Sequence, residues 1–120
     1  MRVKCLRLQH NGKILKSGSD GWLTVGKEYL VIGLHCGQAR EPSYWVLTDE
    51  PNSPIFKGIS FFEVVDGTIP GTWIARSFVA GGFEIIPKEF SDHFSLEDLV
   101  NKTPDAIACF NAIVAKLENK

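Results

Sequence analysis

The chain has 120 residues, 44% hydrophobic and 22% charged, with a formal net charge of −1. This suffices for one domain with its own core. It gives no global attraction to nucleic acid or to an acidic membrane. Cys5, Cys36 and Cys109 are odd in number and widely spaced, which argues against a disulfide framework or a zinc site and fits a reducing compartment.

Arg2, Lys4 and Arg7 interrupt any apolar leader, and no run approaches the ~20 apolar residues that span a bilayer. A cytoplasmic location is therefore expected. In chain order, Met1–Leu8 mixes apolar and basic residues before Asn11-Gly12, a hairpin signal because both residues tolerate positive φ. Lys13–Lys16 is the expected return strand, and Ser17–Gly21 a loop. Tyr29–Leu34 is short, aromatic and β-branched, hence a strand. Ser43–Thr48 is the next strand, and the prolines of Asp49–Pro54 exclude that stretch from a ladder. Phe56–Val65 continues as β with a bend at Gly58. Thr72–Arg76 and Phe83–Ile86 follow, separated by Gly81-Gly82.

After Pro87 the pattern changes. Ser95 and Asp98 resemble the start of a short helix. Thr103-Pro104-Asp105 is a stronger one, with a capping hydroxyl, proline at the first helical position and a carboxylate at the positive end of the dipole. Ile107, Phe110, Ile113, Val114 and Leu117 then share one helical face. Strands first and helices last predict an α+β fold: a small curved antiparallel sheet or barrel with a C-terminal helix packed on it. The expected domain is single, 1–120, mainly β through residue 87 and helical over 95–118.

No residue pattern calls for catalysis. His35 and Cys36 are adjacent, so on a strand they point to opposite faces and are poorly placed as base and nucleophile. His93 with Asp92 would need two more ligands to hold a metal. Asp49-Glu50 and Glu97-Asp98 are explained by a turn and a helix start. Neither Gly81-Gly82 nor Gly26-Lys27 fits a phosphate loop. A non-enzymatic protein with no metal or cofactor is expected.

Charge is unevenly spread. Residues 1–40 carry seven Lys/Arg against two Asp/Glu, and residues 41–120 six against twelve. Either the halves neutralise each other on folding, or a charged surface is left for a partner. From Glu84 to Asp105 the local balance is −4. Glu84, Glu89, Asp92, Glu97 and Asp98 are candidate charges there, and Phe90 and Phe94 candidate anchors, for a basic protein partner. The competing reading assigns the acids to helix starts and both phenylalanines to packing. The basic N-terminal residues Arg2, Lys4, Arg7, Lys13 and Lys16 suit phosphate contacts, which the acidic second half opposes.

Leu23-Thr24-Val25-Gly26-Lys27-Glu28-Tyr29, Tyr44–Asp49 and Phe61–Val65 resemble small bacterial and phage proteins built on Src-homology-type β-barrels. The stretch from Ile86 through Phe94 to Asp105, Ala106 and Phe110 resembles small accessory proteins that include immunity proteins of bacterial toxin systems. The resemblance implies a cytosolic binder that occludes a basic toxin, often a nuclease, through an acidic surface. A barrel module of phage or mobile-element type that binds nucleic acid or a peptide is the alternative.

Overall fold

The computed structural model describes residues 1–37, 41–77, 81–89 and 104–118. Among the described residues the named elements are nine strands and then a helix: β1 (Arg2–Cys5), β2 (Leu8–His10), β3 (Lys13–Leu15), β4 (Glu28–Cys36), β5 (Ser43–Val46), β6 (Ile55–Gly58), β7 (Phe62–Asp66), β8 (Trp73–Ser77), β9 (Phe83–Pro87) and α1 (Pro104–Glu118). The α+β expectation, an antiparallel sheet with a C-terminal helix, is what the chain adopts. Phe56–Val65 is interrupted by a 3-10 turn at Ile59–Phe61. The expected short helix beginning at Ser95 and the Thr103 cap lie outside the described residues.

β4 organises the sheet. β5 runs along one edge; β1 and β9 share the other in succession, β1 beside Glu28–Leu30 and β9 beside Leu34–Cys36. β6 extends from β5, β7 from β1 and β8 from β9, all antiparallel. β6 and β7 are joined by the 3-10 turn but do not pair, so the sheet is not closed. β2 and β3 form a separate two-stranded ribbon. Its turn is Asn11-Gly12, with φ of 51° and 79°, the geometry whose twist matches a tight hairpin.

Both faces of β4 are buried. Tyr29 and Val31 enter a first core with Val3, Cys5, Leu8, Leu23, Tyr44, Val46, Phe62 and Trp73. Leu30 and Ile32 enter a second core with Trp45, Ile86, Phe110 and Ile113, which seats the helix. Strand periodicity alone sorts these residues. The register then slips: Val31 faces Val46 and Gly33 faces Trp45, leaving Ile32 as the extra residue of a β-bulge. Beyond it the parity inverts. Leu34 packs on the first core, and a Cβ at Gly33 would point at Ile86 Cγ2 (3.2 Å) and Trp45 Cε3 (3.3 Å) on the helix side.

On α1, Ala106, Phe110 and Ile113 are buried, and Ile107, Val114 and Leu117 pack beside them, as the spacing predicts. Phe110 is 2% exposed. Phe110→Ala should destabilise the domain by about 3–5 kcal/mol, the usual cost of removing a buried aromatic ring. Denaturant titration of both proteins measures this.

Candidate functional site

The bulge places a continuous row of side chains on the helix-side face, past the second core. Cross-strand register aligns Gly58, Ser43, His35, Glu84 and Arg76 across β6, β5, β4, β9 and β8. The adjacent row brings Phe56 opposite Trp45. The Phe56 ring stacks on Trp45, with centroids 5.6 Å apart and planes 17° from parallel. It also meets the His35 ring at 5.1 Å. Trp45 is buried by the helix-side core, yet Phe56 remains 41% exposed. The result is an aromatic cluster fixed on one side and open to water on the other.

Glu84 lies beside this cluster. It was expected to supply charge to a partner, but it is buried at 8% exposure. Its carboxylate accepts a hydrogen bond from Arg76 Nε. Removing a carboxylate from water is costly unless a cation and hydrogen bond compensate it. Its charge is therefore directed to Arg76, whose own side chain is half-exposed. Glu89 is half-buried and close enough to the helix to act on Cys109: burial, and then the Glu89 carboxylate, push that thiol up. Phe90, Asp92, Phe94, Glu97 and Asp98 lie outside the described residues.

A second polar cluster ties the loop before β4 to the turn after β5. The Asp49 carboxylate accepts hydrogen bonds from Lys27 Nζ (2.6 Å), Thr24 Oγ1 (2.9 Å) and the Tyr29 hydroxyl (3.1 Å). That hydroxyl in turn accepts the Thr24 amide at 2.6 Å, and the Asp49 amide donates to the Trp22 carbonyl at 2.9 Å. Every partner is accounted for within the fold, which makes this a structural clamp. Burial alone would raise the Asp49 carboxyl, but the hydrogen bonds from Lys27, Thr24 and Tyr29 outweigh it and hold the group below its ordinary value of 3.8.

A cavity of about 190 Å³ opens at the other end of the sheet, with Leu30, Val31 and Leu117 as apolar walls and Arg2, Asp66 and Glu118 among its polar groups. The Thr68 amide donates to Asp66 at 3.0 Å. Among the described residues, no group of three or more His, Cys, Asp or Glu is placed to hold a metal, and no helix is long and apolar enough to cross a membrane.

Sequence reasoning did not bring Phe56, Trp45 and His35 together, nor pair Arg76 with Glu84. Phe56 meets Trp45 only through the register set by the long turn between β5 and β6, and that turn carries no two-residue hairpin signal. The inward-facing charge of Glu84 had a legible cue, since Glu84 alternates with Ile86 on one strand face.

Two outcomes follow. Arg76→Ala leaves Glu84 buried without its cation and should cost about 1–3 kcal/mol, less than for a fully buried pair because Arg76 is half-exposed. The double variant Arg76→Ala/Glu84→Gln should recover part of that loss in a thermal or denaturant melt. For the clamp, a depressed carboxyl stabilises the fold above its unfolded-state value and loses that effect as pH falls through the folded value. Asp49→Asn should therefore be less stable than wild type at neutral pH, with the gap closing below about pH 4; melting curves across pH read this directly. Comparison of the chain with protein-family models, curated proteins and solved structures gave no match.

Proposed function

We propose that the chain is a non-catalytic protein-binding module, and that its partner docks on the helix-side row centred on Phe56. The observation that carries this reading is a 41% exposed aromatic ring stacked on a buried Trp45 and flanked by His35. Such a ring is ordered before a partner arrives, so binding spends little on fixing it. Aromatic and arginine side chains dominate binding energy at interface centres, and Arg76 stands in the adjoining row.

The partner in this reading is a basic protein. The stretch from Glu84 to Asp105 has a balance of −4, and complementary charge raises encounter rates and rejects wrong partners. Glu84 is held by Arg76, so in this reading the charge comes from Glu89, Asp92, Glu97 and Asp98, with Phe90 and Phe94 as further candidate anchors from the sequence. The specific role we propose is an immunity-type inhibitor in the cytoplasm that covers the working surface of a cognate toxin, a nuclease being the chemistry that an acidic cover best fits. The strand path supports the Src-homology-type barrel within this proposal: β4, β5, β6, the 3-10 turn, β7 and β1 run round one core, and the turn spans the seam where no ladder forms.

The test is capture of the protein's partner from lysate of its own source, followed by titration of wild type and Phe56→Ala against the purified partner. The variant should lose about 2 kcal/mol or more, roughly thirtyfold in Kd, with an unchanged melting temperature. Co-expression with the partner should relieve growth arrest for wild type and fail to do so for the variant. Equal affinities would remove the row from the interface; a partner harmless to cells would remove the inhibitor role.

A further inference from the structure

The positive charge of the first 40 residues is only partly cancelled on folding. Of its seven Lys/Arg, Arg40 lies outside the described residues. Arg2 and Lys4 on β1 are in register with Asp66 and Glu63 on β7. Lys27 is paired with Asp49 at 2.6 Å. The remaining three, Arg7, Lys13 and Lys16, all belong to the β2–β3 ribbon or flank it, and among the described residues no carboxylate pairs with them. Asp20, the nearest acid in sequence, is turned to the backbone: its Oδ1 accepts the amides of Trp22 and Leu23, both at 2.9 Å.

The ribbon also has the shape of a probe. Leu8 is fully buried and Leu15 packs on the first core, which anchors its base. Gln9, His10, Asn11, Gly12, Lys13 and Ile14 are all exposed, so its tip stands in water. The ribbon's core-side face is hidden only at the base, by Leu8 and Leu15; the other face and the tip expose cations and amide donors.

We propose that the β2–β3 ribbon is a contact surface for a nucleic-acid duplex, separate from the Phe56 row. Two strands about 5 Å apart fit a major groove about 12 Å wide, which admits a two-stranded β-ribbon. Arg7 and Lys16 flank the face that carries Gln9, and Lys13 stands beside the turn on the other face. The three therefore supply phosphate contacts on either side of the ribbon, while Gln9 and Asn11 supply side-chain amides near the base edges. The overall charge of −1 makes this a local and weak interaction, set by three cations rather than by the field of the whole protein.

The experiment is fluorescence anisotropy of a labelled mixed-sequence DNA duplex titrated with the full chain at several salt concentrations. Three phosphate contacts predict a slope of log Kobs against log salt of about −3. Lys13→Gln/Lys16→Gln should reduce the slope by about two and weaken binding at low salt at least tenfold. Lys13→Arg/Lys16→Arg should retain both, and a melting curve for each variant separates lost contacts from lost fold. No binding at low salt, or equal binding by the glutamine variant, overturns the proposal. Displacement by polyglutamate as effective as by unlabelled duplex overturns the assignment to nucleic acid. None of these outcomes bears on the Phe56 row, which the variants leave intact.

Discussion

The fold depends on β4 being buried on both faces while it serves three neighbours. Tyr29 and Val31 fill one core and Leu30 and Ile32 the other, so no residue of this segment is free to vary toward polarity. A strand in that position cannot stay straight and regular, because β1 and β9 must take turns on one edge. The bulge at Ile32 meets the requirement: an extra residue adds local bend and twist and reverses which side chains face the helix. Gly33 follows directly, where a Cβ would press on Ile86 and Trp45 at 3.2 and 3.3 Å and those side chains would have to give way. The placement of His35 beside Phe56 is a by-product of that reversal. The aromatic row and the core are thus set by one irregularity.

Charge follows a similar economy. Where a charged group has a structural task, the fold supplies its counterpart: Asp49 gathers three donors, and Glu84 is held by Arg76. Of the described cations in the first forty residues that have no acid beside them, Lys13 lies next to the tip of the ribbon, and Arg7 and Lys16 flank its base, where Leu8 and Leu15 enter the core. Partial neutralisation, rather than the full cancellation or the full exposure that composition leaves open, is what the described residues display.

Much of the architecture was legible in the sequence. Asn11-Gly12 marked the hairpin through its positive φ, Tyr29–Leu34 marked the central strand, and the Phe110 stripe marked the packed face of the helix. These signals are local, and local geometry determines them. The split of Phe56–Val65 was less legible, because a 3-10 turn needs only three residues and Ile59-Ser60-Phe61 offers no distinctive pattern. Least legible was the candidate site. Phe56, Trp45 and His35 come from three strands and the Glu84–Arg76 pair from two more, and their alignment depends on registers fixed by distant packing and by a one-residue bulge that parity rules do not foresee. Glu84 shows the same limit from the other side, since a count of acids treats every carboxylate as available.

The position of β1 between β4 and β7 bears on how the chain assembles. Its residues Arg2–Cys5 are bonded on one edge to Glu28–Leu30 and on the other to Phe62–Asp66. This strand therefore has both edges satisfied only once residues about sixty positions downstream are in place. Closing such distant loops costs entropy before their contacts return any stability. The β4–β5–β6 meander, by contrast, can form from consecutive segments. Pairing of β1 with β4 closes a loop of about two dozen residues and pairing with β7 one of about sixty, so the second edge of β1 is the costlier one to close.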